Sequence, residues 1–192
     1  MSNNIGLFFG SFNPIHIGHM VIANWFVELT DLDKVWFVVS PQNPFKEKKS
    51  LLADNHRLAL VRTAIEDDPR FWVSDIEFKM PQPSYTIDTL TYLKEKYPDS
   101  NFVLLAGSDQ LPTFDKWKNP AQILEFHKMY IYARPGYQGS RYDDHPSVEI
   151  FQAPQMEISS TFIRKSVKAG QDMRHMLPEK VWKYMREMHF YE

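Results

Sequence analysis

The sequence contains no cysteine among its 192 residues, which excludes a disulfide framework. It lacks an apolar run near the ~18 residues that a membrane-spanning helix requires, and its first residues show no signal-peptide pattern. From these absences we expect a soluble, cytoplasmic protein with no membrane partner.

The chain also lacks the Gly-x-Gly-x-x-Gly fingerprint of dinucleotide-binding folds and any excess of basic residues. Its formal net charge of −2 argues against an extended nucleic-acid surface, which is usually built from clustered Lys and Arg. A small anionic ligand needs only a few local cations. We therefore expect small-molecule substrates and no nucleic-acid partner.

Apolar runs and helical periodicities alternate along the chain, without internal repeats or linker-like segments. Strands are predicted over 5–9, 34–40, 71–73, 101–106, 129–133 and 148–151. Helices are predicted from Met20 to 29, over 54–66 with Asp54 as cap, from a Thr86 cap to 97, from Ser159 or Ser160, and around 181–188. This order predicts one domain over 1–192, an α/β, Rossmann-like, doubly wound parallel sheet with helices on both faces.

Ligands of such sheets bind beyond the carboxyl ends of the strands. The loops after Phe9, Val39, Ala106 and Ala133 should therefore converge. Each of these loops carries polar residues or glycine.

The first of these loops carries two histidines. His16 and His19 are three positions apart, which places both rings on one face of a first helical turn, beside unpaired N–H groups that attract phosphate. Gly10 should allow close approach of a ligand to the backbone. A zinc half-site or a surface pair remains as an alternative, although zinc would need further ligands from scattered histidines or carboxylates.

A second stretch, Glu157-Ile158-Ser159-Ser160-Thr161-Phe162-Ile163-Arg164, combines hydroxyl side chains at a helix start with an arginine one turn later. Hydroxyls, N–H groups and a guanidinium together form a cradle for an anion. An ordinary helix cap with a solvent-facing arginine is the alternative.

Four further residues lie where a ligand would be expected: Lys46, Asp109, Trp117 and Arg134. A lysine and an arginine beyond strand ends suit phosphates, a carboxylate suits ribose hydroxyls, and an indole suits a stacked ring. The alternatives are a solvated loop for Lys46, a plain turn for Asp109, a packed aromatic side chain for Trp117 and a surface ion pair for Arg134.

The tetrad His16-Ile17-Gly18-His19 and the run from Ile158 to Arg164 resemble the two signatures of the nucleotidyltransferase superfamily. The longer string from Gly10 to His19 is most similar to the nicotinate mononucleotide adenylyltransferase family. That resemblance implies transfer of the adenylyl group of ATP to nicotinate mononucleotide, which gives deamido-NAD and pyrophosphate in NAD biosynthesis. It also implies Mg²⁺ bound through the ATP phosphates, with no metal ligand from the protein.

The resemblance further implies a role for each matching residue. The catalytic residues would be His16, His19, Lys46 and Arg164. The ATP-binding residues would be Gly10, Ser11, Phe12, Gly18, Gly107, Asp109, Arg134, Ser159, Ser160 and Thr161. The residues that bind nicotinate mononucleotide would be Asn43, Lys46, Tyr85, Thr86 and Trp117.

Other functions stay open at this point. They are an adenylyltransferase for nicotinamide mononucleotide or phosphopantetheine, a tRNA synthetase fragment that shares the histidine tetrad, and a catalytically silent nucleotide-binding module. Assembly into a homo-oligomer is open as well.

Overall fold

The computed structural model describes residues 3–41 and 51–192. Within these ranges one parallel sheet has the strand order β3-β2-β1-β4-β5-β6. Its strands are β1 Asn3–Gly10, β2 Lys34–Val39, β3 Phe71–Ser74, β4 Ser100–Gly107, β5 Met129–Tyr132 and β6 Val148–Phe151. The six predicted strands are thus confirmed, with bounds that shift by at most two residues.

The helices in the described ranges pack on both faces of this sheet. They are α1 Ile17–Leu29, α2 Asp54–Ile65, α3 Thr86–Lys96, α4 Pro120–Phe126, α5 Ser160–Lys168 and α6 Glu179–Glu187, with short 3-10 helices between them. One core cluster joins the sheet to α1, α2, α5 and α6, and a second joins it to α3 and α4. The apolar runs of the central strands are explained by this double covering, since both faces of these strands are packed against helices.

One helix starts earlier than predicted, and two helices have their N-cap one residue before the predicted one. Helix α1 begins at Ile17, earlier than Met20, because His16 serves as its N-cap and its N–H donates to Nδ1 of His19 at 3.2 Å. Helix α2 begins at Asp54 as predicted, but its N-cap residue is Ala53, and the Asp54 carboxylate binds Arg57 at 2.6 Å. Tyr85 caps α3, and Thr86 is its first residue.

The strand order reverses between β1 and β4, because the chain first builds the β2 and β3 side and then the β5 and β6 side. Connections that leave β1 and β4 in opposite directions open a crevice above the carboxyl ends of these two strands. In the part of the chain that the structure describes, no helix is long and apolar enough to cross a membrane.

Candidate active site

A cavity of about 970 Å³ lies above the carboxyl ends of β1, β4 and β5. Its walls are the turn after β1, the start of α1, the turns after β4 and β5, and the segment that leads into α5. The predicted convergence is confirmed for the loops after Phe9, Ala106 and Ala133. The loop after Val39 passes Pro41 and continues outside the described residues.

The two histidines of the first loop stack on each other. The ring centroids of His16 and His19 are 3.7 Å apart and the planes differ by 28°. Because His19 Nδ1 accepts the His16 N–H, the neutral His19 ring carries its proton on Nε2. His19 lines the cavity, so this arrangement gives it a defined N–H donor.

His16 is buried, with only 6% of its surface exposed. Burial, together with the positive charge of Arg134, lowers the pKa of His16 to about 4. At neutral pH its ring is therefore neutral. Its Nδ1 atom has no hydrogen-bond partner among the described residues, and a Cβ added at Gly18 would lie 3.1 Å from this atom.

Phe12 gives the first loop its shape. Its backbone has φ +44°, in the left-handed region that only glycine adopts freely, and its ring is 2% exposed. The ring packs against Phe37 and His19 at centroid distances of 5.5 and 5.1 Å. A Cβ at Gly10 would come within 2.8 Å of this ring. Gly10 is thus needed for the packing of Phe12, a reason that differs from the predicted approach of a ligand.

The second signature holds the first in place. Ser159 Oγ accepts the Phe162 N–H at 3.2 Å and so caps α5. Ser160 Oγ donates to the carbonyl oxygen of Pro14 at 2.8 Å. Arg164 Nη1 donates to the carbonyl oxygen of Asn13, also at 2.8 Å. Arg164 is therefore half-buried and structurally engaged, in contrast to the alternative of a solvent-facing side chain.

Both motifs also line the same cavity, including Ser159, Ser160, Thr161 and Arg164. The first turn of α5 contains no acidic residue, so the positive end of the helix dipole is not offset there. Two motifs that are distant in sequence thus form one wall of the cavity, and its donors and positive helix end suit an anion.

Asp109 and Arg134 form an ion pair at the cavity, with 3.1 Å between Oδ1 and Nε. Gly107 permits this pair, because a Cβ there would lie 2.4 Å from the Asp109 carboxylate. The Arg134 guanidinium also donates to the Tyr132 hydroxyl at 2.8 Å, and its backbone N–H donates to Ser108 Oγ at 2.9 Å. These residues were predicted to contact ribose and phosphate. They are placed at the cavity but engage each other.

The candidate residues for the acceptor lie elsewhere. Tyr85, Thr86 and Trp117 are not among the residues that line the cavity. Lys118 connects their two segments, since its Nζ binds Asp88 of α3 at 2.8 Å and lies 5.0 Å from the centre of the Tyr85 ring. Asn43 and Lys46 lie outside the described residues.

Comparison with known proteins identifies the family. Residues 7–166 match the model of the cytidylyltransferase-like family. A probable nicotinate-nucleotide adenylyltransferase of Flavobacterium johnsoniae is 50% identical over 190 residues, 98% of each chain. Another, from Christiangramia forsetii, is 48% identical over 194 residues and is covered completely, as is this chain. The chain belongs to the nicotinate-nucleotide adenylyltransferase family. The predicted family and enzyme class are thereby confirmed.

The solved structures support the same fold. Plasmodium falciparum nicotinic acid mononucleotide adenylyltransferase, complexed with NaAD, superimposes with a TM-score of 0.81 at 20% identity. The match covers 98% of this chain and 97% of that one. The Rossmann-like architecture predicted from the alternation of elements is therefore confirmed.

Arg57 supports the loop after β1 from beneath the cavity's lining residues, and sequence reasoning missed it. Its side chain is completely buried. It donates to the carbonyl oxygens of Ser11 at 2.5 Å, Ser40 at 2.8 Å, Leu52 at 3.0 Å and Pro41 at 3.2 Å, and to the carboxylate of Asp54 at 2.6 Å. One guanidinium thus fixes the loop after β1 and both flanks of the segment that carries Lys46. In the sequence, Asp54 and Arg57 have the spacing of an ordinary surface pair.

Glu77 is a second buried polar residue that the sequence did not reveal. It is 3% exposed, and its Oε1 accepts the Thr89 hydroxyl at 2.9 Å. Burial raises the pKa of Glu77, while hydrogen bonds from Ser40, Thr89 and Ser84 oppose the increase. This carboxyl group connects the end of β2 with the segment that leads into α3. Tyr85 and Thr86, two residues predicted to bind nicotinate mononucleotide, lie at that helix start.

Proposed function

We propose that this member of the family transfers the adenylyl group of ATP to nicotinate mononucleotide, with release of pyrophosphate, in NAD biosynthesis. One observation carries the proposal: the two signature motifs, far apart in sequence, form a single cavity wall and bond to each other through Ser160, Arg164 and the Asn13-Pro14 carbonyls. The full-length similarity to nicotinate-nucleotide adenylyltransferases supports the choice of acceptor.

The reaction requires no nucleophilic side chain. A phosphate oxygen of nicotinate mononucleotide attacks the α-phosphorus of ATP, the bond from that phosphorus to the bridging oxygen breaks, and pyrophosphate leaves with the electron pair. The protein then contributes position and charge stabilisation. The cavity, with donors on several walls, suits this task.

The histidines act as neutral donors in this proposal. His19 offers Nε2–H to a phosphate oxygen, because its Nδ1 is occupied by the His16 N–H. The His16 ring, which burial keeps neutral, is assigned to the same phosphates. Both contacts strengthen as negative charge increases on the phosphates in the transition state.

The cations stabilise the leaving pyrophosphate. Arg164 lines the cavity with its guanidinium oriented by the Asn13 carbonyl oxygen, and Lys46 is assigned to the same phosphates. Arg134 supplies charge from the turn after β5, while Asp109 is assigned to the ribose hydroxyls. When ribose hydroxyls bind this carboxylate, the ion pair between Asp109 and Arg134 loosens and the guanidinium turns to a phosphate.

Magnesium is assigned to the triphosphate. Within residues 3–41 and 51–192 no group of three or more histidines or carboxylates is arranged to hold a metal ion, and the Asp109 carboxylate at the cavity is already paired. In this proposal the metal binds through phosphate oxygens and neutralises their charge.

The acceptor ring is assigned to the start of α3 and the segment around Trp117. A helix start favours the nicotinate carboxylate over the nicotinamide amide, because its N–H groups and dipole suit an anion. Asp88, the acidic residue of the first turn of α3, is bound by Lys118, which reduces its repulsion of a carboxylate.

The test is adenylyl transfer from ATP to a panel of acceptors: nicotinate mononucleotide, nicotinamide mononucleotide and phosphopantetheine. We expect the highest kcat/KM with nicotinate mononucleotide and equal amounts of deamido-NAD and pyrophosphate. A preference for phosphopantetheine would contradict the proposed acceptor. Absence of transfer to every acceptor would indicate a catalytically silent nucleotide-binding protein.

A further inference from the structure

A side chain that follows α6 reaches back to the first signature loop. The Tyr191 hydroxyl donates to Oδ1 of Asn13 at 2.7 Å, across 178 positions of sequence. The same Oδ1 accepts the Leu52 N–H at 3.1 Å. Asn13 thus joins three segments: the loop that carries the histidines, the stretch around Leu52 just before α2, and the stretch after α6.

The backbone after α6 is shaped to make this contact. His189 and Tyr191 have φ values of +53° and +67°, which are strained for residues other than glycine. Between them Phe190 is buried, with its ring 4.9 Å from His56 of α2 and 5.8 Å from Tyr184 of α6. Packing of Phe190 compensates for the strain and directs the next side chain toward Asn13.

The surroundings keep the Tyr191 hydroxyl in its donating form. Burial raises the pKa of Tyr191, while the charges of Arg164 and Arg57 act in the opposite direction without cancelling the effect. The hydroxyl is therefore protonated at neutral pH. The same two arginines bind the backbone of the first loop, at Asn13 and Ser11.

We propose that Tyr191 is a positioning residue for adenylyl transfer. Its hydroxyl fixes the Asn13 side chain, and through Asn13 it fixes the histidine loop and the stretch around Leu52. The inference rests on the proposed function. Tyr191 touches neither ATP nor the acceptor in this arrangement, since it is not among the residues that line the cavity. It acts by holding the loop in one geometry.

The experiment compares Tyr191→Phe with Tyr184→Phe in the full chain. The first change removes only the oxygen that binds Asn13. The second removes a hydroxyl from the same packed cluster, one that makes no hydrogen bond to the described residues. We expect kcat of Tyr191→Phe to fall about 3- to 10-fold with the KM for ATP unchanged within about twofold, since a loosened loop disturbs alignment more than binding. Tyr184→Phe should keep both values within about twofold.

A double-mutant cycle with Asn13→Ala separates positioning from general stability. If Tyr191 acts through Asn13, the further change Tyr191→Phe should have almost no effect on kcat in that background. An undiminished effect there would overturn the inference. Amide hydrogen exchange of residues 11–20 gives a second readout, which should be faster in Tyr191→Phe and unchanged in Tyr184→Phe.

The outcomes distinguish the two proposals. A wild-type protein that transfers no adenylyl group would overturn the proposed function and this inference with it. An active wild-type protein with an equally active Tyr191→Phe would overturn this inference alone. A lower melting temperature with unchanged kcat would assign Tyr191 a structural role only, which also overturns it.

Discussion

The protonation state of His16 decides how the first histidine of the signature loop meets a phosphate. With a pKa of about 4 in the folded protein, it enters the reaction neutral and uncharged. Stacking on His19 at 3.7 Å favours the same state, because two imidazolium rings at that distance would repel each other. In the proposed reaction the pair therefore acts through hydrogen bonds, and the positive charge is assigned to Arg134, Arg164 and Lys46.

This lowered pKa predicts a specific dependence of stability on pH. The unfolded chain binds a proton at His16 near the ordinary value of 6.5, whereas the folded protein binds it only near pH 4. Between these values the unfolded state holds more protons at His16. The His16 contribution therefore lowers stability as pH falls from 6.5 to 4 and does not change above 6.5. The contribution reaches about 3 kcal/mol at the acid end.

Urea unfolding across this pH range, in wild type and His16→Gln, measures the contribution. Between pH 6.5 and 4 the unfolding free energy of His16→Gln should depend less steeply on pH than that of wild type. The control His175→Gln, which removes an exposed histidine, should keep the wild-type slope. Equal slopes in wild type and His16→Gln would show that His16 is not held neutral.

At Arg164 we predict that lysine is not an adequate substitute. The guanidinium binds the Asn13 carbonyl through one nitrogen and the Thr161 hydroxyl, at 3.4 Å, through another. An ammonium group keeps the charge but loses this planar fork. Steady-state kinetics of Arg164→Lys should show activity lower by about tenfold or more, about 1.4 kcal/mol. Full activity with lysine, together with inactivity of Arg164→Ala, would show that charge alone matters.

The signature residues could be predicted from the sequence, whereas Arg57 could not. His16, His19 and Arg164 belong to local motifs whose spacing already indicates an anion site. Arg57 acquires its role from four carbonyl oxygens that only the fold brings together. Tyr191 is recognisable only once its partner 178 positions away is known. Long-range partners of single polar side chains have no periodicity in the sequence.

Among the elements, the start of α2 depends on Arg57. The buried guanidinium satisfies carbonyl oxygens from three segments, so a lysine there would leave several of them without partners. We predict that Arg57→Lys lowers the free energy of unfolding by about 2–4 kcal/mol, measured by urea titration. Arg62→Lys, on the exposed side of the same helix, is the matched control and should change stability by less than about 0.5 kcal/mol. Equal stability of the two variants would exclude a structural role for the Arg57 fork.

The start of α3 carries the prediction about the acceptor. Thr86 is the first helical residue and Tyr85 before it is extended, so proline is compatible with the backbone at position 86. Thr86→Pro removes one N–H, and we expect it to lower the ratio of kcat/KM for nicotinate mononucleotide over nicotinamide mononucleotide. Trp117→Ala is the comparison and should weaken both acceptors alike. A wild-type ratio near one, or a ratio that Thr86→Pro leaves unmoved, would contradict this assignment of the pocket.

Element types were predictable where apolar periodicity was strong and less so where tertiary contacts decided. The strands read as apolar runs because the sheet is covered on both faces. The 3-10 helix Ser108–Lys116 was not among the predicted elements, since it contains Pro112 and lacks an α-helical pattern. Helix α4 was also missed, because its seven residues span fewer than two apolar repeats. The start of α1 shifted because His19 accepts the His16 N–H, and Asp54 does not cap α2 because its carboxylate binds Arg57.

In the whole molecule, the strand order brings together what the sequence separates. β1 occupies the centre of the sheet, and the histidine loop that follows it meets α5 above the crevice between β1 and β4. The order of predicted elements was sufficient to place the site at this edge. The mutual bonding of the two signatures was not predictable, because each motif was interpreted by itself as a phosphate site.

Direct transfer of the adenylyl group to the acceptor, by position and charge alone, is tested most directly by the stereochemistry at the α-phosphorus. The wild-type protein is given a single diastereomer of ATP with sulfur in place of one α-phosphate oxygen, together with nicotinate mononucleotide and Mg²⁺. A single in-line displacement predicts a deamido-NAD analogue with inverted configuration at that phosphorus. Retention of configuration would show two successive displacements through a covalent enzyme intermediate, and would contradict direct transfer in this cavity.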